Sequence, residues 1–460
     1  MLYCVAVGMS IGHSAVLLPH LQSGNSTIII DDEMASWIAS VYSCVGMLGA
    51  AFGGLAMDVW GRKTLLIVAG LLIFVGCLLI TCAHNAIFIL LGRIVEGLSR
   101  NMGSTAGAIL IDEVSNTRAR GMIFYILYSC ISIGVFVMST FGALLHWRMA
   151  SGLATVLGFI TFMMFCFLSE SPMWLVKMNK TKSAEKALRQ LWGTGREIEA
   201  NEELNYMIRK LHPEDNTSLF TIKQKIIGLK NLLIKPFVLK PFLIMHFFNA
   251  IQPFCGLNVF IYYAVDMLSK TRRNEIQMFD DYYTNMIITS LRVITTIISC
   301  FLIFSVGRRK LAIASGICSF IPAFIVGFIL TPNNSDLIPS YIEAYAVFIL
   351  ITIYTIGMTF GFFIIPALMI GETQYSKFRG FACGYIFAMN ELILGGVLKI
   401  YPWLMSNLQI HGMFFMFGIS CAVCTIFVYL FVPETRRLSL MEIEDYFKQS
   451  NILWINRKIK

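Results

Sequence analysis

Residues 252–263 read QPFCGLNVFIYY and set Gln252, Asn258, Tyr262 and Tyr263 within a few turns of one another in an otherwise apolar stretch. Amides and hydroxyls both donate and accept, so the chemistry open to such a set is the exchange of hydrogen bonds with a polar molecule, without a covalent bond. Gly256 lets the same stretch bend. Packing is the competing use for the two tyrosines. Against it stand Gln252 and Asn258, two amides in sequence that would otherwise exclude them.

Two further groups belong to the same chemistry. Arg292 sits near the middle of NMIITSLRVITTIISCFLIF, and Glu391 follows Asn390 in FAMNELILGG. Arg292 is ten residues past Tyr282 and Glu391 eleven past Gly380. At about 1.5 Å per residue, each lies roughly 15 Å from its end of a helix. An unpaired charge in the middle of a membrane costs about 2.5–3.5 kcal/mol, so a partner or a water-filled cavity is expected. The similar depth predicts that Arg292 and Glu391 pair with each other. The alternatives are an Arg292 that snorkels, or direct contact of the two charges with a charged cargo.

The elements that must carry these groups follow from composition. Of 460 residues 57% are hydrophobic and only 14% charged, which is the usage of a chain dissolved in lipid. Apolar runs near 2–21, 34–57, 64–83, 86–111, 121–145 and 149–168, and near 239–265, 282–306, 309–330, 341–370, 380–404 and 410–432 are each long enough to cross about 30 Å of hydrocarbon. Each must be a helix, because lipid offers nothing to a free amide or carbonyl. The expected fold is therefore all-α, twelve transmembrane helices in two six-helix bundles. Its intervals are residues 1–168, a linker at 169–238 with short amphipathic helices lying under the membrane, a second bundle at 239–432 and a tail at 433–460. No charged leader with a cleavage site opens the chain, so the first run reads as a retained span. The sequence does not say whether residues precede it.

One set of connecting segments holds 28 of the 36 lysines and arginines, and the positive-inside bias makes that face, with both chain ends, cytoplasmic. The net charge of +9 belongs to this bias, and no basic patch with interleaved aromatics speaks for nucleic acid. Asn25 and Asn333 head glycosylation patterns in segments on the other face. Nearly all of the 12 cysteines lie inside spans, which argues against a disulfide framework. No nucleophile with a base, no metal spacing and no phosphate loop occurs, so no enzyme activity, metal or cofactor is expected.

The two halves repeat each other. GLAMDVWGRK answers FSVGRRK, Glu113 with Arg120 answers Glu372 with Arg379, and SESP answers PETR. Asp58, Arg62, Arg93, Glu113, Arg120 and Glu170, with Arg308, Arg309, Glu372, Arg379 and Glu434, read as charges at cytoplasmic helix ends. They are expected to latch the two halves together by bidentate pairs; simple anchoring to lipid headgroups is the alternative. A duplicated bundle with its charge motifs on one face is the plan of the major facilitator carriers.

With GRIVEG, RARG, SESPMWL, PALMIGE, KFRG and VPETRRLSLMEIE in order along nearly the whole chain, the sequence resembles the sugar porter family of that superfamily. Within it, the sequence looks most like the facilitated trehalose and hexose transporters of insects. The resemblance implies sugar contacts or outer-gate roles for Gln252, Asn258, Tyr262, Tyr263 and Asn390, in a multi-pass plasma-membrane protein that moves trehalose or glucose by uniport. Its partners would be a small-molecule sugar and the bilayer, with a monomer as the default. The chain also departs from the family. Pro253 stands for a second glutamine, Ser139 for a glutamine, and Ala367 and Glu391 for tryptophans; Ile364 stands for a proline, Leu110 for a tyrosine and Arg292 for a neutral amide. Val59, Phe304 and Ser305 replace charged residues, which weakens the expected second latch. Ser14 stands where proton-linked relatives carry a carboxylate, which favours uniport, with His13 as a titratable alternative. A non-cycling sensor, a carrier of a charged organic solute and a proton-linked symporter remain the other readings.

Overall fold

A computed structural model describes residues 1–22, 28–114, 120–192, 197–211, 235–272, 280–332, 339–375, 378–436, 438, 440–449 and 453. Asn25 and Asn333 lie outside them, as does the segment 212–234. The described residues form helices and connecting turns with no strand. In the first half these are α1 (Leu2–Gln22), α2 (Asp32–Trp60), α3 (Arg62–Thr81), α4 (Ala86–Val114), α5 (Arg120–Leu144) and α6 (Trp147–Cys166). Short helices α7 (Pro172–Lys177), α8 (Thr181–Trp192) and α9 (Glu197–Leu211) follow and share a small apolar cluster around Trp174, Val176, Ala184, Leu188 and Met207. The second half holds α10 (Pro236–Ile251), a 3-10 turn (Gln252–Cys255), α11 (Leu257–Lys270), α12 (Asp281–Val306), α13 (Arg308–Ile329), α14 (Ser340–Phe360), α15 (Ile365–Thr373) and α16 (Arg379–Phe431), and then α17 (Leu440–Lys448).

Ten stretches among the described residues are long and apolar enough to cross a membrane. Helix α16 has 53 residues, about 80 Å of helix, and doubles back at Gln409 (φ 53°, ψ 179°), so it supplies two spans. Helix α4, 29 residues long and more charged, is the remaining one and completes the twelve.

Two of the spans are broken where the sequence carries helix breakers. Between α10 and α11, Pro253 removes a backbone donor and Gly256 turns left-handed at φ 90°. A Cβ there would lie 2.5 Å from the Phe417 ring and 2.6 Å from the Tyr354 hydroxyl, so only glycine fits. Between α14 and α15 the chain unwinds at 361–364, and Ser315 of α13 repairs the gap: its hydroxyl accepts from the Phe362 amide at 3.0 Å and donates to the Gly357 carbonyl at 2.7 Å.

Packing repeats from half to half. In the first, α4 packs on α2 and α3, α1 on α5, and α3 on α6; in the second, α14 packs on α12 and α13, and α13 on α16. The halves meet along α2 with α16, α5 with α12, and α1 with α11. Helices α1 and α5 cross at Gly8 and Gly134, where a Cβ on either would strike the other's backbone.

Candidate functional site

On the face that carries the α2–α3 and α12–α13 turns, the same unit is built twice. Gly61 (φ 89°) and Gly307 (φ 100°) turn the chain tightly enough to present the first amides of α3 and α13 to one carboxylate each. Glu170 accepts from the amides of Arg62 at 2.9 Å and Lys63 at 3.1 Å, and Glu434 from those of Arg308 at 3.0 Å and Arg309 at 3.2 Å. A carboxylate at a helix N-terminus satisfies orphan donors and meets the positive end of the dipole. The side chains complete the unit: Arg62 reaches Glu113 at 2.7 Å and Arg308 reaches Glu372 at 3.0 Å. Ser171 and Thr435 donate to the second oxygens of those glutamates, each at 2.5 Å. Asp58 is 3.9 Å from Arg62 and 3.4 Å from Lys177, while Arg309 donates to the Tyr429 carbonyl at 2.6 Å and Arg379 to the Gln374 carbonyl at 3.3 Å. The Arg120 side chain is outside the described set.

Each of the contacts named here lies inside its own half, so none of them is the expected latch from one half to the other. The motif charges sit beside helix ends of their own bundle, and the chain turns hand each arginine to the nearest glutamate there. Gly61→Ala should lower the melting temperature, because the new methyl collides with Glu170 and a left-handed backbone costs an alanine about 1 kcal/mol or more. Gly54→Ala is the control, since nothing lies within 4 Å of its Cβ position.

Arg93 also differs from expectation. It lies two turns into α4 from the opposite face, fully buried inside the first half. Its guanidinium pairs with Glu96 at 3.0 Å, donates to the Ser10 carbonyl at 2.6 Å, the Ser14 hydroxyl at 2.8 Å and the Ile38 carbonyl at 3.3 Å, and stacks over Tyr42 at 4.4 Å. His13 is hydrogen-bonded to Ser151 at 2.7 Å.

The centre of the molecule holds a second ion pair. Arg100, midway along α4, makes two contacts with Glu391 of α16, Nη1 to Oε2 at 2.9 Å and Nη2 to Oε1 at 2.8 Å. This bidentate pair joins the halves at mid-depth. Tyr42 lies 5.5 Å below the Arg100 guanidinium. Tyr262 meets Ser43 of α2 at 3.4 Å, Gln252 and Asn258 meet each other at 3.4 Å, and Asn390 donates to the Asn249 carbonyl at 2.7 Å. Toward the face opposite the motifs, Tyr263 stacks on Tyr401 at 4.0 Å, and Lys399 ties α16 to α2 through Ser36 at 2.8 Å and the Trp37 ring at 4.0 Å.

Arg292 and Glu391 do not pair. Glu391 is taken by Arg100, while Arg292 points between α5 and α14, donating to Thr359 at 3.4 Å and lying 5.6 Å from the Phe363 ring. The two residues share a depth but face different neighbours. Sequence reasoning missed Arg100, and GRIVEGLSRNMG carried the signal: Arg100 is seven residues after Arg93, on the same face of one helix and at the depth estimated for Glu391.

Twelve spans in two similar bundles, with a polar, ion-paired centre between them, define a solute carrier of the major facilitator type. Residues 6–447 match the sugar (and other) transporter family, and the chain belongs to that family of membrane transporters. It is 28% identical to the facilitated trehalose transporter Tret1 of Apis mellifera ligustica, over 96% of this chain and 85% of that protein. It is 27% identical to Tret1 of Drosophila yakuba, again over 96% of this chain, but spans only 50% of that protein's length. Among solved structures, it superimposes on the proton:xylose symporter XylE bound to 6-bromo-6-deoxy-D-glucose with a TM-score of 0.72 at 18% identity, over 96% of this chain and 97% of that one. The inward-open xylose transporter XylE from E. coli gives 0.73 at 17%, over 96% and 98%.

Proposed function

We propose that the protein moves a neutral sugar such as trehalose or glucose down its gradient by alternating access, as a uniporter of the plasma membrane with both chain ends in the cytoplasm. The observation that carries this reading is the meeting of the halves at mid-depth. Arg100 with Glu391, and Tyr262 with Ser43, bridge the seam beside the amides of Gln252, Asn258 and Asn390. These groups donate and accept in the pattern that sugar hydroxyls require. The facilitated trehalose transporters among its relatives support the substrate class.

Uniport is supported by the state of the carboxylates. Ser14 bonds to Arg93, while Glu96 in the first half and Glu391 at the seam are each engaged by an arginine. Neither stands alone to carry a proton through the cycle. Purified protein in liposomes should exchange labelled glucose or trehalose across the membrane, and uptake should be unchanged by a protonophore. Collapse of uptake on adding the protonophore would assign a proton-linked mechanism instead.

A further inference from the structure

The central arginine without a carboxylate is the feature that a neutral sugar does not explain. Arg292 is 2% exposed and stands near the midpoint of α12, on the stripe that faces the other half. On that stripe, Asn285 donates to Ser139 of α5 at 3.2 Å and Thr296 meets Ser132 of α5 at 3.2 Å. Between them, the guanidinium leans over Phe363, which packs edge-on against Tyr128 of α5 at 5.5 Å. Its Nε reaches Thr359, and its Nη2 is buried with no hydrogen-bond partner among the described residues. Arg100, by contrast, is matched by Glu391. That pair is neutral, and beside it at mid-depth Arg292 adds a positive charge that meets a hydroxyl and a ring but no carboxylate among the described residues. A buried donor of this kind costs free energy until an acceptor meets it, and a guanidinium fork matches a planar carboxylate.

The geometry points to a sugar acid as a substrate: a hydroxylated monocarboxylate of the aldonate or uronate class, with its carboxylate on Arg292 and its hydroxyls on the amides and hydroxyls of the same seam. This rests on reading that seam as the transport site.

The test is exchange across liposomes containing the purified full chain, with labelled gluconate, labelled glucose and labelled acetate. Gluconate is expected to exchange and to compete with glucose, whereas acetate, with the charge but not the hydroxyls, does neither. Arg292→Gln should lower the ratio of gluconate to glucose exchange on the order of ten- to a hundred-fold, the worth of one charged hydrogen bond, and Arg292→Lys by less. If the glutamine variant does not fold, the lysine variant and the wild-type competition decide. Glucose exchange untouched by gluconate would overturn the inference and leave the carrier reading standing. Gluconate exchange without glucose would uphold the inference and end the neutral-sugar reading. Exchange of neither would overturn both, and equal competition by acetate would reduce the site to a carboxylate site that does not read sugars.

Discussion

Glu391→Ala should cost the carrier more than removal of any exposed charge. The substitution leaves Arg100 in the seam without its bidentate partner, and breaking one side of a buried pair costs about 3–5 kcal/mol, most of it the burial of the stranded charge. Much less purified protein should remain folded in detergent at a given temperature, and uptake should fall with it. Reversal of the pair, Arg100→Glu with Glu391→Arg, should recover part of the loss, since the two side chains are only 18% and 9% exposed and the exchanged charges still face each other. Equal damage from the single and the double variant would show that the contact does not stabilise the folded chain. Arg292→Glu combined with Glu391→Arg should restore nothing, because the structure gives these residues separate neighbours.

Arg93→Leu should be as severe, for a related reason. Glu96 is 0% exposed and has Arg93 as its ionic partner, while the Ser10 and Ile38 carbonyls and the Ser14 hydroxyl lose a donor. The expected penalty is again about 3–5 kcal/mol, read as loss of monodisperse protein and of melting temperature. Arg93→Leu with Glu96→Leu removes both charges and should recover a large part of it, since a buried pair exchanged for apolar side chains is often near neutral. A double variant no better than the single one would place the cost in the lost carbonyl contacts rather than in the stranded carboxylate.

What the sequence disclosed and what it hid follow from one geometric distinction. Counting residues gives depth, and Arg292 and Glu391 do stand well inside their helices, as the counts from Tyr282 and Gly380 predict. Partner choice depends on azimuth, on the turn of each helix about its own axis, and apolar sequence on all sides erases that signal. Hence Arg100, at the same depth on α4, went unnoticed as the partner of Glu391. The motif charges show the same limit. Their duplication was readable, and Gly61 with Glu170 and Gly307 with Glu434 indeed form equivalent units. Whether such units clasp helices within a half or across the seam depends on chain reversal at the two glycines, which composition does not encode. The bend at Gly256 was legible from the residue itself. The break at 361–364 was signalled only by Gly361 and Pro366, inside a run long enough to pass for one straight helix.

The position of the Arg100 and Glu391 contact has a mechanical consequence. When two rigid bodies turn about an axis halfway through the bilayer, each atom is displaced in proportion to its lever arm. On the alternating-access cycle proposed above, Lys399 with Ser36, eight residues further along α16 than Glu391, lies out on that arm and is the contact that has to part. The bidentate contact lies close to the fulcrum, where the same swing moves its atoms least. In that proposed cycle it would serve as a pivot pin, with the outlying contacts opening and closing around it.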